Sequence, residues 1–176
     1  MDEIEIIIKP ADHLTEQEDQ ELDELSHLAF SQEHDDDEDI LWSEANWYIL
    51  IKVQGVIRSQ LGIIERAGLV NGKPIRLGGI GGVATTPAWQ RRGLSSQAMV
   101  KAQKYIKDTL RVDFGLLICG DHRVSFYQKF GWQVVEGPLF FDQPDGRRKN
   151  DGVTMILPCS EANWSEGEID LCGLPF

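Results

Sequence analysis

One run of residues near the middle of the chain has the makings of an anion site: Gln90-Arg91-Arg92-Gly93-Leu94-Ser95-Ser96. It follows the strand-like stretch Ile80 to Thr85 and the break at Pro87. From Gly93 onward, Leu94, Ala98, Ala102, Tyr105 and Ile106 recur on one helical face. The first amides of such a helix have no partner within it, and its dipole is positive at that end. Glycine lets a phosphate come against the backbone, and Arg91 and Arg92 can add charge-assisted contacts. Taken alone, the same residues also describe a basic surface turn that opens an ordinary helix. Further on lies Phe126-Tyr127-Gln128-Lys129-Phe130-Gly131-Trp132. A phenol with a pKa of roughly 10 is protonated at neutral pH and can act as an acid. The plainer reading of this segment is a helix with core aromatics and a glycine stop.

Together the two segments resemble the acetyl-coenzyme A binding core of the GNAT superfamily of N-acetyltransferases. A Gln/Arg-x-x-Gly-x-Gly/Ala pattern is met by Gln90, Gly93 and Ser95, with serine in place of the last small residue. The resemblance implies that the strand ending Val83-Ala84-Thr85 parts from a strand near Phe114 to Ile118, with pantetheine in the gap. It implies that Val83, Ala84, Thr85, Arg91, Arg92, Gly93, Leu94, Ser95 and Ser96 hold acetyl-coenzyme A. It further implies direct attack by a primary amine, with no acyl-enzyme. The Val83 N–H would stabilise the oxyanion of the tetrahedral intermediate, and Tyr127 would protonate the departing thiolate.

Within the superfamily the chain is similar to aminoglycoside 2′-N-acetyltransferases. The likeness is carried by Ala29-Phe30 before an acidic loop, Trp42, Val83-Ala84 followed by Trp89, Tyr127 with Gly131-Trp132, Asp151-Gly152 through Pro158, and the tail with Leu171-Cys172 and a terminal aromatic. It implies that Asp35, Asp37, Asp39, Asp151 and the Phe176 carboxylate bind a cationic substrate. One position departs from the pattern. The family's acidic residue two places before the valine is Gly81 here. Gly-Gly-Val-Ala-Thr also resembles a mycobacterial-type multi-acetylating family whose terminal carboxylate is the base. Phe176 is therefore the expected base, with water relays or Asp151 as alternatives. The expected reaction is acetylation of a small cationic amine, an aminoglycoside-like compound being one candidate. The rival readings are a protein or peptide N-acetyltransferase and a non-catalytic coenzyme A sensor. A homodimer is compatible with the resemblance.

The elements that must position these residues follow from local pattern. Ile4 to Lys9 reads as a strand. Thr15-Glu16-Gln17-Glu18 is a capping-box signature for a helix carrying Leu22, Leu25 and Leu28/Ala29. Trp47 to Val53 and Val56 to Arg66 are strands joined at Gln54-Gly55, and Asn71-Gly72 turns into a strand from Ile75 to Thr85. Gly78, Gly79, Gly81 and Gly82 within that strand signal a bulge or a close backbone approach. Phe114 to Ile118 suits a buried strand, Asp121 can cap the helix bearing Tyr127, and Trp132–Val135 and Val153–Leu157 complete the strands. Residues 137–152 and the tail after Pro158 read as loops. The expectation is a single α+β domain over residues 1–176, with about seven mostly antiparallel strands, splayed in the middle, and about four helices.

Composition narrows the function classes. Of twenty-nine acidic residues, fourteen fall between Pro10 and Ile51, where there is no Lys or Arg. Outside that quarter the charges nearly cancel, so it supplies the excess behind the net −12. Such a field repels nucleic acid and attracts cations; it is also what a solvated helix face and an acidic loop would give. No apolar run reaches the ~18 residues of a membrane span, and the acidic N-terminus is unlike a signal peptide. Three scattered cysteines, Cys119, Cys159 and Cys172, read as reduced thiols, so the expected setting is the cytoplasm, with no membrane partner. No metal site is expected: the histidines lack ligand spacing, and Asp35-x-Asp37-x-Asp39 has Ile40 where a calcium loop needs glycine. Gly79-x-Gly81-x-x-Ala84 mimics a dinucleotide fingerprint but lies in a strand rather than a strand-to-helix turn.

Overall fold

The structure, a computed structural model, describes residues 3–31 and 40–176. The expected substrate residues Asp35, Asp37 and Asp39 lie outside them. Strand β1 (Ile4–Pro10) pairs antiparallel with β2 (Trp47–Val53), and β2 with β3 (Val56–Val70). β3 pairs in turn with β4 (Lys73–Thr85). The two tight hairpins occur where the sequence signals them: Gln54 and Gly55 have φ of 52° and 81°, Asn71 and Gly72 of 49° and 73°. Two consecutive positive φ values are what a type I′ turn demands.

Helix α1 (Glu16–Phe30) precedes β2 and opens with the expected capping box: Glu18 N–H donates to Thr15 Oγ1, and Thr15 N–H donates to the Glu18 carboxylate. Helix α2 (Leu94–Lys104) runs into a π-helical turn over Tyr105–Thr109. β5 (Phe114–Cys119) is followed by the short α3 (Val124–Gln128), preceded by a 3-10 turn at Asp121–Arg123 rather than by an Asp121 side-chain cap. The chain then forms β6 (Gln133–Val134), β7 (Leu139–Gln143), β8 (Gly146–Lys149), β9 (Val153–Pro158) and β10 (Ile169–Asp170).

The sheet order is β6-β9-β5-β4-β3-β10-β7-β8, with β2 also on β3 and β1 on β2. Only β4–β5 and β10–β7 are parallel. The fold is α+β as expected, but the described residues hold ten strands and three α-helices rather than about seven and four. The additional strands arise in stretches read as loops. Pro144-Asp145-Gly146 lies at the turn of the β7–β8 hairpin, and the tail adds β10 between β3 and β7.

The sheet has two covered faces. On one, α2, the π turn and α3 pack through Leu94, Ala98, Met99, Ala102, Ile106 and Tyr127 onto Leu61, Ile63, Ile80 and Leu117. On the other, α1 seats Leu22 and Leu25 against Leu50, Ile57 and Ala84. Beyond α1 that second face is filled by the tail, where Ile169, Leu171 and Phe176 join Leu77, Phe114, Leu116 and Ile156. Among the described residues no helix is long and apolar enough to cross a membrane. The three cysteines are free thiols.

Candidate active site

β4 and β5 pair only from Leu77/Phe114 to Ile80/Leu117. Beyond that, β4 runs on through Gly81 to Thr85 without β5, while Ile118 and Cys119 stay paired to β9. The sheet is thus open on one edge of each strand. β4 is also loosened from β3 at this point. Gly62 pairs with Gly81 and Gln60 with Ala84, so Gly82 and Val83 together oppose Leu61. This is a bulge, with Gly82 at φ 61°. The Val83 backbone therefore lies outside the regular ladders on both sides.

The start of α2 closes the end of β4. Gly93, at φ 81°, is the N-cap residue, and no side chain caps the helix. The first amide to bond back is Gln97, to Gly93 O at 3.1 Å. The amides of Leu94, Ser95 and Ser96 thus have no helical acceptor, and the space around Gly93 is open. A hydroxyl chain pins this terminus to the strand: Ser95 Oγ to Thr85 Oγ1 at 2.7 Å, Thr85 Oγ1 to Ser59 Oγ at 2.8 Å, and Ser59 Oγ to Ala84 O at 3.0 Å. Gln90 Nε2 donates to Thr85 O at 3.2 Å. Arg91 and Arg92 are exposed, and the Arg92 guanidinium lies 4.4 Å from the Trp89 ring centre. The side chains of Ala84 and Leu94 are buried in the core, so these two offer only backbone to a ligand. The residues Val83 to Thr85 and Arg91 to Ser96 are thus brought together at one end of the opening, where they present unpaired backbone and two exposed guanidinium groups.

Tyr127 lies on α3, shortly after β5 ends at the opening. It is buried, with Phe126 edge-on at 5.1 Å. Burial pushes the Cys119 thiol up, more than Arg123 pulls it down, and its Sγ faces Met155 Sδ at 3.9 Å.

The other side of the opening is occupied by the chain's own end. Phe176 is 5% exposed. Its ring lies so close to β4 that a Cβ on Gly79 would sit 2.5 Å from a ring carbon. A Cβ on Gly81 would sit 2.9 Å from the Phe176 carboxyl carbon. Gly81 is therefore backed by the Phe176 backbone, which comes from a distant part of the chain. The four glycines of β4 divide their tasks: Gly82 makes the bulge, Gly78 admits Ile106 and Val112 on the helix face, and Gly79 and Gly81 admit Phe176 on the other.

Asp151 is exposed in the turn before β9, which an Asn150–Gly152 side-chain bond closes. Gly152 lies against Cys119 O, at the splayed end of β5. Beside it a hollow of about 470 Å³ is lined by Val134–Leu139, Lys149, Asn150 and Gly152–Thr154. Leu28, Phe30, Leu41 and Trp42, flanking residues 32–39, are exposed apolar side chains. Sequence reasoning missed Arg66, Ser43 and Gln143. Arg66 and Ser43 bond the tail, and Gln143 Oε1 and Nε2 bond the N–H and C=O of Leu41. No local pattern marks them. Among the described residues no cluster of His, Cys, Asp and Glu suits a metal ion.

Comparison with known proteins agrees with this geometry. A family model described as "Acetyltransferase (GNAT) domain" matches residues 11–135. Escherichia coli ElaA is similar in structure, with TM-score 0.62 and 19% identity over 88% of this chain and 99% of that one. A GNAT family acetyltransferase from Brucella melitensis, solved with acetyl-CoA, gives TM-score 0.62 and 12% identity over 94% of each chain. The ribosomal-protein-S18-alanine N-acetyltransferase of Escherichia coli gives 0.57 and 15%, over 90% of this chain and 97% of that one. The strands that part beside a bare helix start, and a family match spanning most of the chain, lead to one conclusion: this protein belongs to the GNAT acetyltransferases and is an N-acetyltransferase.

Proposed function

We propose that the protein transfers the acetyl group of acetyl-coenzyme A to a primary amine of a small cationic substrate. The observation that carries this is the parting of β4 from β5 beyond Ile80/Leu117, bordered by the bulge at Gly82 and the uncapped start of α2. When bound, acetyl-coenzyme A supplies a thioester whose carbonyl an amine can attack. Gly93 to Ser96 bind the diphosphate through amides and the helix dipole, with Arg91 and Arg92 adding charge. The free edge of β4 from Val83 to Thr85 pairs with the pantetheine amides. With acetyl-coenzyme A bound, the Val83 N–H would be available to stabilise the charge that develops on the thioester oxygen. Tyr127 holds the proton given to the leaving sulfur.

The proton of the attacking amine goes to the carboxylate of Phe176, which stands behind Gly81 where the strands part. Supporting a cationic acceptor are the acidic N-terminal quarter, with Asp35, Asp37 and Asp39, and Asp151 beside the hollow next to Gly152. An aminoglycoside-like compound is one member of the class of small cationic amines.

The test is release of free thiol from acetyl-coenzyme A in the presence of aminoglycosides, polyamines or peptides. Release with a small cationic amine supports the reading; release with peptides alone replaces its acceptor class. Tyr127→Phe should slow turnover by roughly 10²–10⁴-fold without loss of coenzyme A binding. A variant as fast as the parent removes Tyr127 from the chemistry.

A further inference from the structure

The last residues are held by groups that lie outside the opening. Arg66, half-buried on β3, donates from Nη1 to Leu174 O at 2.5 Å and from Nη2 to Ser43 Oγ at 2.8 Å. Ser43 Oγ donates to the same Leu174 O at 2.9 Å, and its N–H donates to Pro175 O at 2.9 Å. The Arg66 guanidinium also lies 5.0 Å from the centre of the Phe176 ring. Gly173 passes so near that a Cβ there would meet Arg66 Cζ at 3.0 Å. One guanidinium thus touches the tail at three places.

We propose that Arg66 is the positioning residue for the Phe176 carboxylate, and that Ser43 ties the acceptor-side segment to it. This rests on the reading of Phe176 as the base. The geometry gives the reason. Ring and carboxylate branch from one Cα, and the ring is confined in the slot left by Gly79. With the ring held and the Leu174 and Pro175 carbonyls bonded, the carboxylate beside Gly81 has little freedom left. A misplacement of about 1 Å at a reacting group costs on the order of 10²-fold in rate. The clamp needs a planar fork, since one nitrogen serves Leu174 while the other serves Ser43; lysine presents a point charge and cannot span both. Ser43 lies between residues 32–39 and β2, and Gln143 holds Leu41 from the other side. Leu41 and Ser43 are therefore fixed to the same frame as the tail.

Arg66→Met, Arg66→Lys and Ser43→Ala in the full chain test this with two readouts. The first is thiol release with kanamycin and with spermidine as acceptor probes. The expected result is a fall in kcat of roughly 10²-fold for Arg66→Met and Arg66→Lys, and less for Ser43→Ala, with the KM for acetyl-coenzyme A unchanged. Guanidinium ion added to Arg66→Ala should restore part of the rate. The second needs no acceptor. Carboxypeptidase Y should release Phe176 at least tenfold faster from Arg66→Met than from the parent, under conditions where both bind coenzyme A equally. Parental kcat in Arg66→Met, or equal protection of Phe176 in both, overturns the proposal. A chain extended by one glycine after Phe176 separates the two ideas: full turnover there rejects the base assignment, and the protection readout then judges the clamp alone.

Discussion

The two sides of the opening between β4 and β5 are built by different means. The side proposed for the coenzyme is backbone: the bulged end of β4, the glycine N-cap and the first amides of α2, pinned by the Ser59–Thr85–Ser95 hydroxyls. Its parts lie within about a dozen residues of one another, except Ser59. The side proposed for the acceptor is assembled from afar. Phe176 meets Gly79 and Gly81, Arg66 and Ser43 meet Leu174, and Gln143 meets Leu41. A side made of local backbone tolerates side-chain change but depends on a few φ values. A side made of distant contacts changes whenever any one of them is altered. The contrast fits a fold in which the donor is shared across a family while acceptors differ.

The sharpest way to break this contrast is at Phe176. Removing it, or extending the chain by one glycine, should cost roughly 10²–10⁴-fold in turnover while coenzyme A affinity, measured by calorimetry, stays within about twofold. An equal loss on both counts would mean that the two sides are not separable. Next comes α1, which packs on the same face of the sheet as the tail. Burial pushes the Glu18 carboxyl up, but Lys9, the Thr15 amide and Lys52 outweigh it and hold the group at about 2 instead of 4.5. The unfolded chain therefore takes up this proton first. Stability from Glu18 is complete above about pH 5 and is lost as pH falls from 4.5 toward 2, about 3 kcal/mol in all. Urea unfolding at stepped pH should show this drop in the parent and not in Glu18→Gln; equal slopes would remove Glu18 from the acid response.

Smaller effects sharpen the comparison. Gly81→Ala places a Cβ 2.9 Å from the Phe176 carboxyl carbon. The carboxylate must shift, and kcat should fall about tenfold or somewhat more, with coenzyme A affinity intact. Gly93→Ala meets open space, so its only cost is φ 81°. That strain, about 1–2 kcal/mol, should appear as roughly tenfold weaker coenzyme A binding with a smaller change in kcat for bound substrate. The reverse pattern in the two glycine variants would exchange the roles assigned to the two sides.

This division also explains what could be read from the sequence. Thr15 with Glu18, Asn71-Gly72 and the Gln90–Ser96 turn are local signals, and each sits where local chemistry places it. The cluster of glycines in β4 was legible as close approach, but not as approach by the chain's own terminus. Nothing near Gly79 names Phe176. The β7–β8 hairpin was hidden because Gly146-Arg147-Arg148-Lys149 has no apolar alternation. Its contacts include partners farther along the chain, with Arg147 bridging Glu168 and Asp170, and the Arg147 guanidinium lies over Phe140 of the paired strand. Arg66 reads as one more basic residue on a strand until the tail is folded over it.

The hydroxyl chain behind α2 has a direction. Ser59 spends its single proton on Ala84 O, so it must receive from Thr85, and Thr85 in turn from Ser95. Ser95 is left showing lone pairs outward. An anion arriving there finds no O–H to greet it unless all three rotors reverse and Ala84 O gives up its donor. Ser95, a serine that looks like a phosphate ligand, thus serves as a hinge pin.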